Sequence, residues 1–258
     1  MRPCVGPELP CDIAGYTGAA VNRFLYAAHR WISAAALAQL VIWISSGLFF
    51  ASFSIERVRG EHVEMDRSLV VDDATGLIAP GTAVAVARAA GVTLEALELR
   101  RTPEGPVWIA RGPHHAAVRL DARSAAVLPV TRVEAEAVAR ADQRDAPAIV
   151  DAILVERDAP IEYRDRPLPA WRVKLADERG TVVWVDGRTA EITARRNDLW
   201  RWYDFLWSLH IMDYGGRETF HHPLLIVAAA LAALAVASGS VVWMARIARR
   251  FRKPRKAR

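Results

Sequence analysis

The side chains of this 258-residue chain best suited to chemistry are its seven imidazoles: His29, His62, His114, His115, His210, His221 and His222. A neutral imidazole is an axial ligand for a b-type haem when packed helices hold it in a low-dielectric site. His210 falls in an aromatic helical stretch. His221 and His222 stand just before a long apolar run, and Gly215-Gly216 between them and His210 lets the chain fold back. That spacing allows a bis-histidine site of His210 with His222 or His221. His29 opens a different apolar run, so two such side chains would meet only across a homodimer. Against haem, neither apolar run carries a His at its centre, and a His near a helix end is equally an interfacial residue or a helix-terminal partner. His114-His115 follow Pro113 between two strands. Adjacent strand residues point to opposite faces, which makes this pair poor co-ligands and surface residues. Asp213 is near enough to His210 to orient an imidazole or to end a helix.

No other constellation competes. The chain has no Gly-x-Ser-x-Gly, no His-Glu-x-x-His and no Gly-rich phosphate loop. Asp72-Asp73, Asp142, Asp145 and Asp151 are scattered among arginines, as on a solvated mixed-charge surface. Cys4 and Cys11 match no zinc or redox spacing. The residues therefore describe a protein without a catalytic set.

The elements that must position these residues begin with two oily segments. Residues 31–55 and 221–245 contain no Asp, Glu, Lys or Arg. Each holds a run long enough for a transmembrane helix, Ile32 to about Phe53 and Pro223 to about Met244. The first is too long, and too far from the start, for a cleaved signal peptide. Eight of the 34 basic residues crowd the last thirteen positions. Placed directly after an apolar run, such a tail reads as a cytoplasmic topology anchor that meets anionic lipid, not as a nucleic-acid surface. Both termini are then cytoplasmic and the charged middle lies outside. Arg57 and Arg59 mildly oppose this orientation and are outnumbered. Trp200, Trp202, Tyr203, Trp207 and Tyr214 cluster before the second span, where headgroups suit them. Asp198 reads as the N-cap of a short surface helix running to about Met212, broken by Gly215-Gly216, with Pro223 in the first turn of the second span.

The middle repeats itself. Val118-Arg-Leu-Asp-Ala-Arg-Ser-Ala-Ala-Val127 aligns with Val183-Trp-Val-Asp-Gly-Arg-Thr-Ala-Glu-Ile192, pairing Asp121 with Asp186 and Arg123 with Arg188. Each segment reads as strand, tight turn, strand. A helix precedes each: residues 82–90, entered by Pro80 and stopped by Gly91, and residues 131–141, with Thr131 and Glu134 in capping-box spacing. Strands are expected at 94–100 and 107–111 in the first copy and at 149–156, 170–175 and 182–186 in the second. One helix on a small antiparallel sheet, twice over, is a stable two-layer arrangement. Gln39, Ser45, Ser46 and Gly47 in the first span, and Ser238-Gly239-Ser240 in the second, suit close helix packing.

With His29-Arg30-Trp31, the two turns, Leu168-Pro-Ala-Trp-Arg-Val173, Phe205-Leu-Trp-Ser-Leu-His-Ile-Met-Asp-Tyr214 and Phe220-His-His-Pro-Leu224, the chain resembles the PepSY-associated transmembrane proteins over roughly His29 to Met244. The family's turn reads Asp-x-x-Thr-Gly. Here Ala125 and Ala190 replace the glycine. The resemblance implies an inhibitory or regulatory module of the kind attached to secreted peptidases, or a pared-down relative of haem-carrying ferric-siderophore reductases.

The reading is thus an α+β fold. Two transmembrane helices (31–54 and 223–245) flank an extracytoplasmic tandem of PepSY-like helix-plus-antiparallel-sheet units (55–130 and 131–197). A cytoplasmic segment (1–30), an interfacial aromatic helix and turn (198–222) and a basic tail (246–258) complete it. The expected protein is a non-catalytic bacterial inner-membrane protein whose outer domains bind or modulate a protein or peptide partner. Its helices meet lipid and each other, a partner or a second copy. The competing function is a haem-binding redox component with His210, His222, His29 and His221 as ligands.

Overall fold

The computed structural model describes residues 13–63, 75–102 and 104–252. Cys4, Cys11, Asp72-Asp73 and the tail beyond Arg252 lie outside the described residues. The chain divides into two compact units. One joins the N-terminal helix to the segment from Asp204 onward, and the other spans Phe53–Tyr203.

The first unit is helical. α1 (Ile13–Ser52) is 40 residues long, starting well before the apolar span expected from residue 31. α6 (Pro223–Arg252) continues past its own span into the basic segment. Within them Arg30–Ser52 and Pro223–Ser240 are long and apolar enough to cross a membrane. α1 and α6 touch, but Leu37, Ile44 and Leu48 on one, and Leu234 and Val236 on the other, remain largely exposed. Such faces are costly in water and suited to lipid, and they associate the protein with a membrane. The span hydroxyls donate to carbonyls of their own helices, Ser46 to Ile42 at 2.7 Å, Ser238 to Ala235 at 3.0 Å and Ser240 to Val236 at 2.8 Å. That leaves no hydroxyl hydrogen stranded in an apolar medium. Pro223 opens α6, where its missing N–H costs nothing, and the His222 carbonyl accepts from Leu225 and Ile226.

In the second unit α2 (Ile55–Arg59) is capped by Ser54. The repeat then begins. Its first copy is α3 (Pro80–Ala89), β1 (Ala96–Thr102), β2 (Gly105–Arg111) and β3 (Ala117–Asp121). The second is α4 (Arg132–Asp142), β4 (Ile149–Val155), β5 (Ala170–Leu175), β6 (Val182–Asp186) and β7 (Ile192–Arg196). The sheets are antiparallel meanders, β1-β2-β3 and β4-β5-β6-β7. In the first copy a single bridge, Leu120 to Val127, stands where β7 pairs in the second. The strands begin and end within two residues of the expected positions.

The backbone hydrogen bonds show how deep the repetition goes. Asp121 N–H donates to Ala126 and Ala125 to Asp121; Asp186 donates to Glu191 and Ala190 to Asp186. The residue after each Asp donates to a proline carbonyl, Ala122 to Pro106 and Gly187 to Pro169, and accepts from the residue two before each helix, Ile78 and Val130. Aligning Pro106 with Pro169 also matches Trp108 with Trp171. Each helix turns an alanine pair toward its sheet, Ala83/Ala87 and Ala135/Ala139, all fully buried. Spaced four apart, they share one face and let backbone approach sheet closely. They pack on Trp108, Val118 and Leu120 in one core and on Val173, Val183 and Val185 in the other. A larger side chain there would overpack by about 1–3 kcal/mol.

Two caps differ from expectation. Thr131 does cap α4, accepting from Glu134 N–H at 3.2 Å. The Glu134 carboxylate, though, reaches the buried Arg119 guanidinium instead of closing a capping box. An unpaired buried cation would cost more than one exposed N–H. α5 (Asp198–Ile211) is capped by Asn197, whose Oδ1 accepts from Trp200 N–H at 2.7 Å, while Asp198 pairs with Arg201. The helix ends before Gly215-Gly216, at Met212, which sits at φ 57°.

Candidate functional site

Of the predicted ligands, His210 has the most developed surroundings. It lies in the last turn of α5, against α1. Its Nδ1 is 2.7 Å from Ser46 Oγ. The same hydroxyl lies within hydrogen-bond distance of the Ile42 and Trp43 carbonyls, at 2.7 and 3.2 Å. Trp43 Nε1 donates to the His210 carbonyl at 2.8 Å. The Trp207 ring lies nearly parallel to the imidazole at 6.4 Å, and Phe50 meets it edge-on at 5.5 Å. Burial holds the His210 pKa below the ordinary imidazole value, which favours the neutral ring.

The other predicted ligands are not gathered around it. His222 is partly buried at the start of α6, and its Nδ1 is buried without a hydrogen-bond partner among the described residues. Its ring makes no contact with His210 among those residues. His221 is exposed, and its backbone N–H donates to Thr219 Oγ1 at 3.2 Å. His29 lies within α1, where only its backbone is described. Of the haem-ligand candidates, then, His210 is bonded through Nδ1 to Ser46, and the His222 Nδ1 has no hydrogen-bond partner among the described residues. Among the described residues no group of three or more His, Cys, Asp or Glu side chains is placed to hold a metal ion.

Asp213 does not orient His210. Its carboxylate accepts from the backbone N–H groups of Glu218, Thr219 and Gly216, at 3.1, 3.2 and 3.0 Å, and these bonds hold its pKa down to about 2. It organises the loop from α5 to α6. His114 and His115 are exposed and occupy the turn between β2 and β3, as expected, at φ 54° and 62°.

Charged groups the sequence scattered are brought into specific pairs. Glu191 takes both Arg100 and Arg111, tying the second copy to the first sheet. Burial opposes its ionisation, but the Arg111 hydrogen bond and the two cationic charges prevail and hold its pKa below the ordinary carboxylate value. Asp142 is buried and takes a two-pronged bond from Arg195, at 2.6 and 2.7 Å. Asp142 is thus a structural ion-pair partner rather than the solvated residue its surroundings in sequence suggest.

The edge strand β4 is different in character. Val150, Ile153 and Leu154 are 56%, 49% and 38% exposed. A bulge lies between Ile149 and Asp151, and Asp151 Oδ1 accepts the Ala152 N–H at 2.8 Å. A bulge and an acidic side chain capping its own strand are devices that keep an apolar edge from indiscriminate pairing.

Comparison with known protein families, with curated proteins and with solved structures returns no match for this chain.

Proposed function

We propose that this is a non-catalytic inner-membrane protein of PepSY type whose outer tandem binds or modulates a protein or peptide partner. The observation that supports it best is β4: an apolar edge left open yet guarded by a bulge and by Asp151. An extended segment added there gains main-chain hydrogen bonds, and alternate side chains meet Ile153 and Leu154. The basic tail sets both termini in the cytoplasm and the tandem outside. A photocrosslinking residue at Leu154 is expected to give a discrete adduct in intact cells, lost when Ile153→Asp is added and missing from the same probe at Glu178. Equal labelling at both positions overturns the reading. For orientation, a cysteine at Glu178 in a Cys4→Ser, Cys11→Ser background should react with impermeant maleimide in spheroplasts, and one at Ala257 only after permeabilisation. The reverse pattern removes the outer location.

One observation favours the redox reading, a haem-binding component of the ferric-siderophore reductase type. Ser46 Oγ holds His210 by its Nδ1, which leaves Nε2 as the ring nitrogen for iron. Bound haem would supply one-electron chemistry, and this chain's part would be to hold His210 neutral and oriented. Full-length protein purified from haem-replete cells should then show a Soret band that His210→Ala abolishes. A spectrum without that band removes the reading.

A further inference from the structure

The two copies differ on the sheet face turned away from the helix. In the second copy this face is sealed by its own chain. The β4–β5 connection, residues 156–169, carries Tyr163 over the sheet, where it stacks on the fully buried Trp184 at 4.0 Å, with Ala170 in the same cluster. In the first copy the β1–β2 connection is residues 103–104 alone. The positions matching Ala170 and Trp184 are Val107 and Arg119. There the structure has a cavity of about 350 Å3 between the first sheet and the start of α4. That is the size range of small-ligand sites.

The walls specify what fits. Pro106, Val107 and Leu128 on one side, and Val133 and Ala137 on the other, are apolar. The one cation, Arg119, is already neutralised by Glu134. Two further carboxylates line the cavity. Glu104 is exposed and has no ion partner among the described residues. Asp121 turns Oδ1 to Arg123 N–H, Ser124 N–H and Ser124 Oγ, at 2.9, 2.6 and 2.9 Å. Its Oδ2 has no hydrogen bond among the described residues. In the second copy the matching Asp186 is buried. The cavity thus joins apolar walls to two carboxylates, Glu104 without an ion partner and Asp121 with one oxygen free of hydrogen bonds among the described residues.

We propose that this cavity binds an organic cation, an ammonium or guanidinium group on an apolar stem about the length of a lysine side chain, with Glu104 and Asp121 as its counter-charges. The site stands apart from the β4 edge and does not depend on the partner-binding reading. It is tested by methyl NMR of the full chain in nanodiscs, reading Val107, Leu128 and Val133. The probes are n-butylammonium, N-acetyl-lysine methylamide and their neutral counterparts, 1-butanol and N-acetyl-norleucine methylamide. Saturable shifts are expected with a cation and not with the matching neutral probe. Which of the two cations binds distinguishes a free amine from a residue within a peptide. Glu104→Gln, an exposed change that leaves the turn intact, should weaken binding about tenfold. Ala137→Leu should abolish it by filling the opening. Neutral probes binding as well as the cations, or affinity unchanged in Glu104→Gln, overturns the proposal.

Discussion

Ala125 and Ala190 occupy φ 64° and 63°, a region where a Cβ costs roughly 1–2 kcal/mol. The backbone takes a conformation that favours glycine without having one. The cause is the Asp before each turn, whose carboxylate binds the N–H groups two and three residues on and holds the turn closed. Ala125→Gly is therefore expected to stabilise the protein by about 0.5–1 kcal/mol. Ala190→Gly should gain less, because the Ala190 methyl packs against the second core. Thermal melts of the two variants check this, and an Ala125→Gly protein less stable than the parent would refute it. His210 teaches the complementary lesson at this scale. Its candidacy is legible as a residue type near an apolar run, but not its partner. Ser46 lies 164 positions away, and no local pattern couples a span hydroxyl to an imidazole on another helix.

At the scale of elements, the two apolar helices, the two helix-plus-sheet copies and most strand positions were readable, because hydropathy and turn chemistry are local. The match of Trp108 with Trp171 was hidden, since the connections before β2 and β5 differ so much in length. The guard on β4 was hidden too, because a bulge shows only in pairing. Asp151→Ala frees the Ala152 N–H beside exposed Val150 and Ile153, and self-association of the full chain in detergent should rise. Sedimentation velocity indistinguishable from the parent would show that Asp151 guards nothing. The α5–α6 loop gives a pH test. Asp213 has a folded pKa of about 2 against about 3.9 for a free Asp. The lowered value means that its contribution is complete above the unfolded pKa and fades as pH falls from about 5 toward 2. Protection of the Glu218 and Thr219 amides against hydrogen exchange should decline across that window. In Asp213→Asn it should be low throughout, with no acid-dependent step. Protection that persists at pH 2 would locate the loop's order elsewhere.

For the whole molecule, the division into a helical unit and a paired-sheet unit has an energetic consequence. The sheet unit carries two buried cores of its own, and no residue of either comes from α1 or α6. A fragment of residues 53–203 is therefore expected to be soluble and to melt cooperatively without the membrane helices. The copies are linked by ion pairs on Glu191 and on Glu134, whose carboxylate takes the buried Arg119. Glu191 is mostly buried and joined to Arg100 and Arg111. Removing it in Glu191→Ala leaves Arg100 and Arg111 to Glu98 and solvent and should cost about 1 kcal/mol. The sign with pH is set by the lowered Glu191 pKa. The link holds at neutral pH and weakens as acid protonates the carboxylate, so the parent fragment should approach the stability of Glu191→Ala at low pH. Two copies with separate cores, joined by such a link, should also lose cooperativity when it is cut. Calorimetry of the variant is expected to show a broadened or split transition. A single sharp transition at the parent's temperature would mean that the Arg119–Glu134 pair and apolar contacts suffice to hold the copies together.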